Sequence, residues 1–119
     1  MRIRSSLPFA LIGALLTIGC ATQPPLSPRA IDLRTANCTN PDYPAVARRY
    51  EATGKTKLEF VVDAAGKVVE VIVASPSGTS KAHSALDQVA VQSIKSCQFA
   101  PAPGFAPNRA HIEYVWRLQ

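Results

Sequence analysis

The chain has 119 residues, 47% of them hydrophobic and 18% charged, with 10 Pro and 3 Cys. That length fits one small domain and excludes a two-domain enzyme with a separate cofactor fold. Thirteen Lys and Arg against eight Asp and Glu give +5, but Arg2 and Arg4 lie in a segment with the marks of a removable signal. Eleven against eight then remain, +3, and so modest an excess gives little support to nucleic-acid binding.

Residues 1–19 read as a signal peptide. Arg2 and Arg4 form its charged start and Leu7 to Ile18 its apolar run, interrupted by Pro8. A membrane-spanning helix needs roughly 20 apolar residues, so a cleaved segment fits better than a permanent anchor. The run ends in Thr17-Ile18-Gly19-Cys20. This resembles a bacterial lipobox with Thr17 in place of the usual Leu, which makes Cys20 the expected lipidated residue. Ala21, rather than Asp, follows Cys20, and by resemblance to enteric sorting rules this points to a lipid anchor in the outer membrane, facing the periplasm, rather than the inner. With Cys20 so used, Cys38 and Cys97 remain. An even pair in an exported protein is expected to form a disulfide. A zinc site from Cys38, Cys97, His83 and His111 lacks any close ligand pairing, so no metal is expected.

Residues 20–37 hold Pro24, Pro25 and Pro28 without a hydrophobic period and read as a tether; 38–119 form the domain. Asp42-Tyr43-Pro44 opens a short helix, with Tyr43, Val46, Ala47 and Tyr50 on one face and Gly54 as its stop. Lys55 to Val62 alternates, placing Leu58, Phe60 and Val62 on one side. Asp63-Ala64-Ala65-Gly66 is a hairpin loop whose Gly66 takes the left-handed conformation. Lys67 to Ala74 returns as a second strand, with Val69, Val71 and Val73 toward the core. Ser80 to Ser96 carries Leu86, Val89, Ala90 and Ile94 at helical spacing, continued by Cys97. Ala110 to Arg117 is a last strand with Ile112, Tyr114 and Trp116 on one side. The order α-β-β-α-β predicts an α+β fold: a small antiparallel three-stranded sheet with two helices on one face.

Catalytic patterns are not evident. His83, Ser84 and Asp87 have the residue types of a triad, yet neighbours along one helix do not take nucleophile–base–orienter geometry by proximity in sequence. His83 is expected to face solvent. The glycines are isolated turn glycines rather than a phosphate-binding loop. Tyr50, Phe60, Phe99 and Trp116 are better read as core than as base-stacking platforms. No enzyme, cofactor, nucleic acid or small-molecule substrate is expected.

Pro41-Asp42-Tyr43-Pro44, Ala47-Arg48-Arg49, Gly54-Lys55, Asp63…Gly66-Lys67-Val68, Ser75-Pro76-Ser77-Gly78, Leu86-Asp87…Ala90 and Phe99-Ala100-Pro101 together resemble the TonB carboxy-terminal domain family over about Pro41 to Trp116. The resemblance implies a periplasmic domain that binds an extended amino-terminal segment of TonB-dependent outer-membrane receptors beside its last strand. Carried onto this chain, the peptide-binding edge is Ala110, His111, Ile112, Glu113, Tyr114, Val115, Trp116 and Arg117. Arg48 and Arg49 are candidate contacts to an acidic receptor or to lipid headgroups. Family transducers keep an inner-membrane helix and a long proline-rich spacer; this chain departs in both. Cys97 also stands where the family often has an aromatic residue, consistent with the disulfide replacing a packing contact. The alternative is an outer-membrane lipoprotein adaptor with a structural or assembly role and a different protein partner.

Overall fold

The computed structural model describes residues 26–119 and the single position 13. Cys20 and its lipidation, and the signal segment apart from Gly13, lie outside the described residues. The elements run α1 (Ala45–Arg49), β1 (Gly54–Val62), β2 (Val68–Ser75), α2 (Lys81–Lys95) and β3 (Asn108–Trp116). The three strands form one antiparallel sheet in the order β2-β1-β3. This is the α-β-β-α-β architecture that the hydrophobic periods predict.

β1 is central because its alternation is the strictest. Thr56, Leu58, Phe60 and Val62 are all buried beneath α2 with Leu86, Ala90 and Ile94. Ser80 caps α2 by accepting the N–H of His83 at 3.2 Å, as a serine just before the first turn does. The hairpin forms as expected: Asp63 Oδ1 accepts the N–H of Lys67 at 2.9 Å, and Gly66 sits at φ +85 with a Cβ's place occupied by the Phe99 carbonyl. Any side chain there meets backbone as well as a disfavoured φ.

On β2 the expected core set shifts. Val62 pairs with Val68 and Val61 with Glu70, which leaves Val69 as an extra residue in a bulge. Val68 therefore faces the core, while Val69 is 59% exposed. Strict alternation cannot register an inserted residue. A second irregularity between Lys57 and Leu58 leaves Ala74 extra.

α1 is shorter than its apolar spacing predicts, and it ends before Gly54. Glu51 takes the left-handed position at φ +51, its N–H reaching Arg48 O at 3.1 Å and that of Ala52 reaching Ala47 O at 2.8 Å. These two bonds close the helix in a Schellman turn. Tyr50 consequently turns outward and is 70% exposed, not a core residue. Gly54 instead opens β1, where a Cβ would strike the carbonyl of Ser77.

The segment read as a tether is bound from Ser27 onward. Ala106 N–H donates to Ser27 O at 2.8 Å and Arg29 N–H to Ala106 O at 3.0 Å. Arg29 is 4% exposed, and its guanidinium donates to the carbonyls of Asp63 and Ala100. Asn37 and Gln98 exchange backbone bonds at 2.9 and 2.8 Å. Beside this main-chain pairing and the long Arg29 side chain, only Ile31 and Ala36 pack on the core, too few to make a hydrophobic period.

Cys38 and Cys97 form the expected disulfide across a separation of 59 residues. It ties the amino-terminal segment to the end of α2 and also removes both thiols as metal ligands. Closing a loop of this size stabilises the fold by about 4 kcal/mol on the chain-entropy account. Replacing both cysteines by alanine should lower unfolding free energy by about that amount in a urea titration. Glu51→Gly should raise it by about 0.5–1 kcal/mol, because glycine adopts the left-handed position without a Cβ clash.

Candidate functional site

The strand order leaves β3 with one neighbour, β1, paired from Gly54↔Trp116 to Val62↔Asn108. Which backbone groups remain open follows from the hairpin. Asp63 N–H donates to Lys67 O at 2.9 Å, so odd-numbered positions of β1 turn their backbone groups toward β2 and even-numbered ones toward β3. The β3 partners of those even positions are Asn108, Ala110, Ile112, Tyr114 and Trp116. By alternation, the backbone groups of Arg109, His111, Glu113 and Val115 are directed to the open edge. An unpaired row of donors and acceptors is a template for an added strand.

The expected edge, Ala110 to Arg117, thus lies on β3, although the strand begins at Asn108 and Arg117 falls just past its end. Ile112, Tyr114 and Trp116 lie on the helix-covered side, while His111, Glu113 and Val115 are exposed on the bare face of the sheet. That face is held by ion pairs: Lys55 and Lys57 to Glu113 at 3.7 and 3.8 Å, and Arg109 to Glu59 and Glu70 at 3.5 and 3.3 Å. They are exposed and individually weak, but they leave Val115 as an apolar position among charges.

The carboxy-terminal end of β3 is fixed from behind. Trp116 Nε1–H donates to Thr56 Oγ1 at 2.9 Å; the Thr56 hydroxyl in turn donates to Asp87 Oδ1 at 2.7 Å, and Ser77 N–H donates to the same oxygen at 3.0 Å. Tyr43 packs edge-on to Trp116 at 5.7 Å between centroids and donates its hydroxyl to Ala52 O. One polar junction therefore joins β1, β3, α2 and the loop after β2. Sequence reasoning missed it: Asp87 stands out only as a carboxylate among the helix positions that face the sheet.

The triad-like residues do not converge. Asp87 is buried in this junction, and Ser84 is exposed. His83 is half-buried rather than solvent-facing, its ring nitrogens 2.7 Å from Ser80 Oγ and 3.0 Å from Thr53 O. With Ser80 donating to Nδ1, the Nε2–H donates to the Thr53 carbonyl, which makes His83 a brace between α2 and the approach to β1. Arg48 and Arg49 lie in the last turn of α1. Remote from the edge, Arg34, through its backbone N–H and then its side chain, holds the Asp32 carboxyl below its ordinary value.

The class this geometry defines is a small α+β domain with an open strand edge, its bare-face charges paired and its Asp87 and His83 engaged in structural hydrogen bonds. Residues 39–118 match the family described as Gram-negative bacterial TonB protein C-terminal, and the chain belongs to that family. Protein TonB of Haemophilus ducreyi is 36% identical over 81 residues, 67% of this chain and 26% of the relative. Protein TonB of Pseudomonas putida is 41% identical over 61 residues, 51% of this chain and 24% of the relative. The chain thus spans about a quarter of the length of these relatives. The solution structure of the Helicobacter pylori TonB carboxy-terminal domain is similar with TM-score 0.54 and 25% identity, covering 66% of this chain and 70% of that one. The Pseudomonas aeruginosa domain shares the fold, with TM-score 0.56 and 16% identity over 79% of this chain and 95% of that one.

Asp87→Ala should cost about 2–3 kcal/mol, since the Thr56 hydroxyl and Ser77 N–H would lose their shared acceptor in a buried setting. Urea unfolding measures the loss, and a shift in Trp116 fluorescence would report the loosened junction.

Proposed function

We propose that this chain binds extended peptide segments of TonB-dependent outer-membrane receptors along β3 and takes part in, or modulates, TonB-dependent transport. The observation that carries the reading is the open backbone row at Arg109, His111, Glu113 and Val115 in a domain of the TonB carboxy-terminal family. A peptide adding there gains main-chain hydrogen bonds for affinity, and alternate side chains set selectivity. On the bare face its residues meet His111, Glu113 and Val115; on the other they extend the row of Ile112 and Tyr114.

The Thr17-Ile18-Gly19-Cys20 motif favours lipid anchoring, and Ala21 after it favours the outer membrane, facing the periplasm. No helix among the described residues is long and apolar enough to cross a membrane. With the segment docked at Ser27, the seven residues beyond Cys20 reach at most about 25 Å. An anchored domain would stay close to its membrane, near receptor segments entering the periplasm. The same motif supports a second reading, an anchored adaptor whose partner is a different envelope protein. Cross-linking in cells separates the two by whether the captured protein is an uptake receptor.

Val115→Pro tests the edge. Proline removes an outward N–H without removing a β1–β3 bond, so the domain should stay folded while affinity for receptor amino-terminal peptides falls at least tenfold in an NMR titration. Unchanged binding by the folded variant would contradict the edge reading.

A further inference from the structure

The segment that follows Cys20 is fastened to the loop that leads into β3, since Ser27 O accepts the N–H of Ala106 at 2.8 Å. The β1–β2 hairpin lies at the same end: Ala102 N–H donates to Ala64 O at 2.7 Å and Phe99 N–H to Gly66 O at 2.9 Å. Residues 96–108 carry no charged side chain, and neither do residues 21–28. Arg29, the first charge after Cys20, is turned inward onto the Asp63 and Ala100 carbonyls. The hairpin loop adds one charge of each sign, Asp63 and Lys67. Within the uncharged loop, Pro103 and Gly104 fill a turn closed by Phe105 N–H to Ala102 O at 3.2 Å, with Gly104 at φ +83. Proline before a glycine of positive φ is the pattern of a type II turn. Nothing lies within 4 Å of where a Cβ on Gly104 would stand, so the turn projects clear of the domain. Phe105, which closes it, is 46% exposed, and Leu26, one residue before Ser27, is 63% exposed.

Single exposed apolar side chains are ordinary on a protein surface. Phe105 differs in two ways: the chain around it is uncharged, and its loop is bonded to the segment that follows the lipidation motif. An aromatic ring held in water on a fixed turn gains by entering an apolar phase. With Cys20 lipidated, the Ser27–Ala106 junction stays within about 25 Å of the bilayer. Tethering then raises the effective concentration, so a contact too weak to hold a free protein is filled. We propose that loop 101–107, with Phe105 as its wedge and Leu26 as a second apolar contact, is the seat on which the anchored domain rests against the lipid surface. This rests on the anchoring reading above and adds how the domain stands on its membrane. Asn108 opens β3 directly after the seat, and its partner Val62 ends β1 at the hairpin. β3 therefore leads away from the lipid, its nine residues spanning about 30 Å. The open edge begins at the membrane, where a receptor segment entering the periplasm first meets it.

The test uses the mature lipidated chain, oxidised, in bilayer discs of phosphatidylethanolamine and phosphatidylglycerol doped with a lipid that carries gadolinium on its headgroup. The NMR signals of the Gly104 and Phe105 amides should broaden, and those of Tyr114 and Trp116, toward the far end of β3, should not. Phe105→Ser with Leu26→Ser should lose that contrast while the other amide signals keep their positions, because both side chains are exposed. Phe105→Trp should keep the contrast, and so should Tyr50→Ser, which removes an exposed aromatic ring from α1. Even broadening over the whole domain, or broadening greatest at Trp116, overturns the seat and leaves the anchor standing. A contrast that survives the double serine variant does the same. Mass spectrometry that finds Cys20 unacylated in cells overturns anchor and seat together. A photo-reactive phenylalanine at position 105 that captures an envelope protein instead of lipid overturns the seat in favour of a protein partner.

Discussion

Thr56 stands at the point where the parts of this domain meet. Its hydroxyl is fully buried, accepts from Trp116 and donates to Asp87, and Asp87 also holds the loop after β2 through Ser77. A threonine hydroxyl has one donor and two acceptor sites, and burial makes leaving them empty costly. Satisfying Thr56 thus specifies where α2 lies over the sheet and how the end of β3 is turned. Tyr43 then packs on Trp116, and α1 takes its place through Tyr43. The apolar core supplies the drive to collapse; this junction supplies its single arrangement.

A sheet of three strands has two edges, and the two are treated differently. β2 is irregular at both ends, with Val69 and Ala74 as extra residues. Bulges twist an edge and spoil its template. β3 pairs with β1 over nine consecutive positions without a shift, so its outer row is straight. Regularity and the apolar Val115 thus coincide on the β3 edge. The amino-terminal clasp and the disulfide hold the other end, around the hairpin and the loop after α2.

Much of the fold was legible because β1 and α2 follow simple periods. Leu58, Phe60 and Val62 alternate, Leu86, Ala90 and Ile94 recur at helical spacing, and each period names its buried face. The failures share a cause: they depend on features that a period cannot carry. Val69 is displaced by an inserted residue. Tyr50 is turned out because Glu51, not Gly54, takes the left-handed position. Arg29 is buried through backbone carbonyls that lie 34 and 71 residues away in the chain. The line of the candidate site was legible in Ala110 to Arg117, since a final alternating strand matched the family pattern. Its chemistry was less so. Which amides point outward depends on the Asp63–Lys67 bond, which no sequence period carries.

The account turns on β3 as a strand acceptor, and amide hydrogen exchange with and without a saturating receptor peptide tests this most directly. The amides of Ala110, Ile112, Tyr114 and Trp116 should be protected in the free protein by β1, and those of Arg109, His111, Glu113 and Val115 should gain protection only with peptide. Added protection confined to β2 or α2, or a peptide that binds tightly while the odd-numbered amides of β3 exchange as before, would contradict it.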